Sequence, residues 1–254
     1  MSRSAPSVLS AAFCCLALAL TGASAAAFSP SPAFKQAQKN YDAGDYAGAA
    51  EAFSQLSAQN PENPAYLYNL GDSLFKQGRL GPAIAAYQKA FDLDPRDSNI
   101  RYNLNFALKK AGETLVPPGV PPVLFDVFYW FSLPELSGLQ WTLCWLALIL
   151  CGFWILLPDI RDKLKPWAAS ALALWIFWGG WFLVRKSLEP ARLGVIVSPS
   201  AEIRSGPGDG FNVIFTAPEG RRVEILAPQG DWLEIGVLKE GLQGWIKSDA
   251  VEGV

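Results

Sequence analysis

The chain has 254 residues, 21 basic against 23 acidic side chains, and no histidine. So even a balance offers no broad positive field for nucleic acid, and the commonest general base and commonest zinc ligand are both missing. Nor is there a Ser/His/Asp, Cys/His or phosphate-loop arrangement, so the expectation is a non-enzymatic protein with no metal and no cofactor.

Residues 1–27 carry Arg3, an apolar stretch over 8–20, and then Ala23-Ser24-Ala25 and Ala25-Ala26-Ala27. Small-x-small after an apolar run is the pattern of a secretory signal peptide. Phe13 before Cys14, and Cys14 before Cys15, do not fit a lipoprotein cleavage site. Removal of the leader leaves Cys144 and Cys151, seven apart on one helix face, which read as packing residues rather than a disulfide or metal pair.

Residues 30–61 resemble residues 64–95 at an offset of 34. The second copy has Leu67, Leu70, Gly71, Leu74, Ala83, Tyr87, Ala90 and Pro95. The first keeps Gly44, Tyr46, Ala49, Phe53, Leu56 and Pro61, but has Gln36, Ala37 and Asn40 where the second has Leu70, Gly71 and Leu74, which predicts a less well packed first helix. In this spacing the second copy closely resembles a tetratricopeptide repeat (TPR). Gly71 and Ala83 let two antiparallel helices approach, while Leu74 and Tyr87 fill the layer between them. A third amphipathic segment, 98–112, puts Ile100, Leu104 and Ala107 on one side and caps the stack. The expected all-α solenoid spans 28–115, with repeats at about 30–63 and 64–97. At tetratricopeptide spacing its concave groove is lined by Phe34, Gln38, Tyr41, Tyr68, Asn69, Asp72, Phe75, Tyr102, Asn103 and Phe106. Aromatic and amide side chains suit peptide capture; the other reading is that the tyrosines pack between repeats and the asparagines bond local backbone.

Residues 116–122, rich in proline, cannot continue a helix and predict a semi-rigid spacer within a linker over 116–139. Phe125, Phe128, Tyr129, Trp130 and Phe131 then crowd ahead of an apolar run, as an aromatic belt at a membrane surface does; a partner-binding patch is the competing view. Two charge-free runs, 140–157 and 167–184, follow with a short loop 158–166 between them. Each is roughly 27 Å as a helix, close to the ~30 Å hydrocarbon core, which predicts a transmembrane hairpin in contact with the lipid bilayer. Arg161, Lys163 and Lys165 place the loop in the cytoplasm and both flanking domains outside it, while Arg185, Lys186 and Arg192 pull weakly the other way.

From 193 to 254 five short β-rich pieces, at 195–197, 213–215, 223–226, 232–235 and 244–246, predict a small all-β barrel. Ile203-Arg204-Ser205-Gly206-Pro207, Pro218-Glu219-Gly220, Gly230-Asp231-Trp232-Leu233 and Gly244-Trp245-Ile246 closely resemble the bacterial SH3-like (SH3b) domain. No tyrosine lies within 193–254 to build a polyproline groove. Trp232 and Trp245 read as barrel-packing residues; the other reading is a ligand surface made of Arg204, Trp232 and Trp245.

Signal peptide, two tetratricopeptide repeats, membrane hairpin and terminal SH3-like barrel together resemble the BatE family of bacterial aerotolerance-operon proteins, over nearly the whole chain. The sharpest stretch runs from Tyr68-Asn69-Leu70-Gly71 to Pro95, and the Asn-Leu pair recurs at Asn103-Leu104. The resemblance implies a multidomain inner-membrane protein with both domains in the periplasm, and an envelope complex with von Willebrand factor A-type membrane proteins and a MoxR-type ATPase. The residues themselves support a scaffold binding other envelope proteins through the repeat groove; the alternative is a sensor binding peptidoglycan through the SH3-like domain.

Overall fold

The structure is a computed structural model that describes residues 31–188, 192–237 and 241–254. The expected leader lies outside the described residues. Five helices open the described chain: α1 (Pro32–Asp42), α2 (Tyr46–Gln59), α3 (Pro64–Lys76), α4 (Leu80–Leu93) and α5 (Ser98–Lys110). Four of them start where a short polar side chain accepts an otherwise unpaired backbone N–H: Ser31 from Phe34, Asp45 from Gly48, Asn63 from Ala65, and Asp97 from Asn99 and Ile100. Gly44 and Gly78, at φ of 81° in both copies, turn the chain between the two helices of each repeat, a conformation that only glycine takes without strain.

Ala37, Phe53, Leu56 and Tyr66 make the core of the first repeat, so α1 packs through Ala37 and Phe34 although its Gln36 and Asn40 face solvent and bond each other. A larger core joins the second repeat to α5 through Ile84, Tyr87, Leu104 and Leu108. A Cβ on Gly71 would lie 2.6 Å from the Tyr87 ring, the close approach that the sequence pattern predicts.

The linker is not a free spacer. Helix α6 (Pro122–Phe128) turns Phe125 into the second-repeat core, where it is 6% exposed, and Tyr129 stacks on Phe125 with ring centroids 4.4 Å apart. Of the segment expected to lie on a membrane, Phe125 is thus turned into the protein, while Val123, Leu124, Val127 and Trp130 are exposed on the other side. The pairing of Arg101 with Asp126 ties α6 to α5, and Arg96 reaches Glu135 at 2.5 Å. Those bonds become possible because the preceding prolines bend the chain back over the stack.

Helices α7 (Leu133–Leu156) and α8 (Arg161–Leu188) are joined by a 3-10 turn, Pro158–Ile160. Both are long and apolar enough to cross a membrane, and only 11% of each apolar window is covered by the rest of the chain. Helices of a soluble core would be mostly buried; here Trp141, Leu156 and Trp167 are between 66% and 74% exposed, which suits association with a bilayer. Helix α7 begins well before the charge-free run because Ser132 and Glu135 form a reciprocal capping box and Pro134 sits in the first turn, where no donor is needed. At the far end of the hairpin, Arg185 is 3% exposed; its guanidinium donates to the carbonyls of Phe128 (2.9 Å) and Phe131 (3.0 Å) and lies 4.2 Å from the Tyr129 ring centre.

The C-terminal domain has seven antiparallel strands rather than five: β1 (Leu193–Ile196), β2 (Ser200–Arg204), β3 (Val213–Pro218), β4 (Arg222–Gln229), β5 (Trp232–Val237), β6 (Leu242–Lys247) and β7 (Val251–Gly253), in sheet order β3-β2-β6-β5-β4-β1-β7. The two additional strands are β2, whose Ser200 and Glu202 interrupt its apolar residues, and β7, only three residues long. Neither presents an apolar run, so only pairing with neighbours makes them strands. The core is aliphatic: Ile196, Ile203, Val223, Ile235, Val237 and Ile246.

Barrel and repeats share a surface. Strand alternation sends Ile196 into the barrel and the adjacent Val195 into the core of the second repeat. Glu219 accepts the Gly81 N–H at 2.8 Å, providing the cap that α4 lacks in its own sequence. Around this contact Lys89 pairs with Glu252 (2.8 Å), Arg221 with Glu113 (3.2 Å), and Arg222 donates to the Thr114 carbonyl (2.6 Å).

Candidate functional site

A cleft of about 260 Å³ opens between α1, α3 and α5, lined by Tyr41, Asp72, Phe75, Lys76, Tyr87, Tyr102, Asn103 and Phe106. Asp72 forms its floor. The Tyr87 hydroxyl donates to Asp72 Oδ1 at 2.5 Å, and the Asn103 amide donates both to the same oxygen (2.8 Å) and to the Tyr68 hydroxyl (3.0 Å). Burial pushes the Asp72 carboxyl above its ordinary value, opposed by hydrogen bonds from Tyr87, Asn103 and Tyr68 and by the nearby Lys76. Burial first, and then the Asp72 charge, push the Tyr68 hydroxyl up to about 12 and raise Tyr87 and Tyr41 as well.

The walls are aromatic. Phe75 and Phe106 have centroids 5.8 Å apart, and Tyr102 stacks on Phe106 at 6.4 Å with nearly parallel rings. Tyr102 is 70% and Phe106 48% exposed, unusual for side chains of this size on a folded helix. Their exposure has a topological cause: α5 is the first helix of an unfinished third repeat, and α6, which follows it, turns Phe125 into the second-repeat core rather than covering these rings. Lys110 places its ammonium 4.9 Å from the centre of the Phe75 ring.

Six of the ten residues expected in the groove thus line the cleft: Tyr41, Asp72, Phe75, Tyr102, Asn103 and Phe106. Tyr68 supports it from the side through Asn103. Three are elsewhere. Phe34 packs between Phe53 and Tyr66 in the first-repeat core, Gln38 bonds Asp42 one turn along α1, and Asn69 donates to the Ala65 carbonyl of its own helix. The cause for Phe34 is the polar residues of α1, which leave its ring as the largest apolar group available to cover Phe53. Tyr87 and Lys76 complete the cleft although the groove pattern omitted them; the four-residue step from Asp72 to Lys76 was a signal that could have found the lysine.

On the barrel, the cross-strand pairs Trp232 with Lys247, Glu234 with Trp245 and Arg204 with Trp245 set these side chains on the outer face of β2, β6 and β5. Reading the tryptophans as barrel-packing residues is therefore corrected: the interior is filled by Ile203, Ile235 and Ile246 on the alternate positions. Arg204 is held by Glu202 (2.5 Å) and the carbonyls of Asp209 and Phe211, and Lys247 stands 5.7 Å from the Trp232 ring centre. A second, wider cleft of about 1090 Å³ lies between α2 and α4 and is bounded by Leu133 and Val254. Among the described residues no group of acidic and cysteine side chains is placed to hold a metal ion. Cys144 and Cys151 are both free thiols, half-buried on α7.

Comparison with known families agrees with this architecture. A tetratricopeptide-repeat family model matches residues 34–98, and a bacterial SH3 domain model matches residues 199–252. The chain matches no curated protein. It combines a tetratricopeptide-like helical region, two apolar helices and an antiparallel SH3-like domain, modules that suggest a role in protein interaction.

Proposed function

We propose that the protein is a membrane-anchored, non-enzymatic scaffold of the bacterial cell envelope that holds partner proteins in the cleft between α1, α3 and α5. The observation that supports this reading is the pair of solvent-facing rings, Tyr102 and Phe106, above a polar floor ordered by hydrogen bonds from Tyr87 and Asn103 to Asp72. Rigid aromatic side chains around a shaped cleft are the usual anchors of protein interfaces. The resemblance to BatE extends this to the inner membrane, with both domains periplasmic, and to an aerotolerance or envelope-stress complex with von Willebrand factor A-type membrane proteins and a MoxR-type ATPase.

The test is co-purification of those proteins from membranes with full-length protein carrying Tyr102→Ala and Phe106→Ala. Each ring removed is worth about 2 kcal/mol, so additive losses weaken binding about a thousandfold. Tyr102 and Phe106 are better targets than Tyr68, whose hydroxyl belongs to the cleft's own network. Undiminished co-purification with a folded double variant would refute the reading.

A second reading has its own observation: Arg204, Trp232 and Trp245 share one outer face of the barrel, as a carbohydrate- or peptide-binding platform requires. Sedimentation of the full chain with purified peptidoglycan tests it. Loss of sedimentation in Trp232→Ala and Trp245→Ala, with Tyr102→Ala unaffected, would assign wall binding to the barrel.

A further inference from the structure

We infer that the cleft takes a cationic side chain, an arginine or lysine of an extended partner segment, between the Asp72 carboxylate and the rings of Phe75, Tyr102 and Phe106. This rests on the reading of the cleft as the partner site and adds the chemistry of what enters it. The argument begins with hydrogen-bonding capacity. Both hydrogens of the Asn103 amide are used, one on Tyr68 and one on Asp72, and the Tyr87 hydroxyl hydrogen is used on Asp72. A carboxylate offers about four lone-pair sites, and Tyr87, Asn103 and Tyr68 together account for three. The hydrogen-bonded floor is therefore short of free donors and keeps acceptor capacity, which suits an incoming donor-rich cation.

The walls point the same way. Ring faces carry partial negative charge and attract ammonium and guanidinium groups. The chain already shows this preference at the cleft: the Lys110 ammonium lies 4.9 Å from the centre of the Phe75 ring. Two of the chain's own cations already stand at the cleft: Lys76, exposed at the end of α3, is one of its lining residues, and Lys110 lies against the Phe75 ring, so an incoming cation competes with them for Asp72 and the ring faces. The volume of about 260 Å³ accommodates one long side chain rather than a folded element. Asp72 is thus the single carboxylate among the lining residues, held in place by three neighbours and framed by aromatic rings.

The experiment uses fluorescently labelled arginine-rich, lysine-rich and glutamate-rich octapeptides of otherwise identical Gly/Ser composition, titrated into the full chain in detergent and followed by anisotropy. The arginine and lysine peptides bind and the glutamate peptide does not. Asp72→Asn, which keeps an oxygen to accept from Tyr87 and Asn103, weakens the arginine peptide by about tenfold or more without changing the circular dichroism. Lys110→Ala, which uncovers the Phe75 ring, strengthens it. In the unsubstituted protein, affinity falls as pH is lowered through the raised carboxyl range of Asp72, while Asp72→Asn loses that pH dependence. Tighter binding of the glutamate peptide, or unchanged arginine binding in Asp72→Asn, overturns the inference. If that happens while Tyr102→Ala with Phe106→Ala still abolishes co-purification, the cleft remains the partner site and only the cation assignment fails. If co-purification also survives the aromatic substitutions, the partner-site reading fails with it.

Discussion

Asp72 shows how one residue can serve fold and site together. Its burial disfavours the charged form, and the donors around it keep the charge tolerable. An acid whose folded pKa is raised favours the folded state at low pH, and that contribution is lost as pH rises through the raised value. Removing the charge but not the acceptor should therefore leave stability at neutral pH unchanged or improved. Asp72→Ala instead strands the Tyr87 and Asn103 donors and should cost about 1–3 kcal/mol, measured by urea denaturation of the two variants side by side. The tyrosines give an independent readout. Tyr68, at about 12, should resist ionisation when absorbance at the tyrosinate band is followed from pH 9 upward, and Tyr87 should resist longer. Because their folded values are raised, stability is fully present below about pH 10 and is lost as pH climbs toward and beyond 12. A single unshifted transition for all the tyrosines would show that the network is not formed.

Two of the glycines at contacts between elements have different consequences. A side chain at Gly71 would collide with the Tyr87 ring inside the second repeat, so Gly71→Ala should lower stability by about 1–3 kcal/mol and loosen the floor of the cleft, since Tyr87 bonds Asp72. A side chain at Gly81 would lie 2.3 Å from the Ile196 carbonyl oxygen of the barrel. Backbone cannot give way as a flexible side chain can, so Gly81→Val should separate barrel from repeats rather than unfold either. Calorimetry of the full chain checks this: the unsubstituted protein melts its two domains together, while Gly81→Val splits the transition. The shared surface also bears on truncation. Val195 belongs to the second-repeat core and Glu219 caps α4, so deleting 193–254 exposes Ile84 and leaves a helix start uncapped. Loss of partners after that deletion would therefore not separate a barrel site from a damaged α4, which makes point substitutions in the cleft the cleaner test.

For the whole molecule the determining contact is at Arg185. Counted in sequence, it is one of three basic residues that argue against a cytoplasmic 158–166 loop. In the structure it is enclosed by Phe128, Tyr129 and Phe131, joining the end of α8 to the segment that leads into α7. A structural need therefore accounts for a cation at that end of the hairpin. The proposed orientation rests on the loop residues Arg161, Lys163 and Lys165. Fusions of a reporter enzyme active only outside the cytoplasm should work after Leu115 and after Val254 and fail within 158–166; the opposite pattern would invert the protein in the membrane. Arg185→Ala should leave the fusion pattern intact and free the segment of Phe128–Phe131 from the end of α8, measured as faster hydrogen exchange over α6.

Local signals carried most of the architecture. The 34-residue offset, the glycines at 44 and 78, and the pairing of Gly71 with Tyr87 recur at fixed sequence distance, because each repeat closes on itself within one helical hairpin. The two apolar helices were equally legible, since a hydrocarbon environment admits only long uncharged runs. The seven-stranded count was not, because β2 and β7 are strands only by virtue of their partners. In the cleft, spacing found the residues of α3 and α5 that project on the repeating face, but it misplaced Phe34, whose position depends on Phe53 of the next helix. What no local pattern contained was the docking of barrel, aromatic segment and repeats upon one another. Val195, Phe125 and Leu108 share one core across more than 80 residues of chain, and contacts so distant in sequence leave no periodic trace. Only the closed tertiary structure decides them, because each supplies apolar surface that the unfinished third repeat would otherwise leave uncovered.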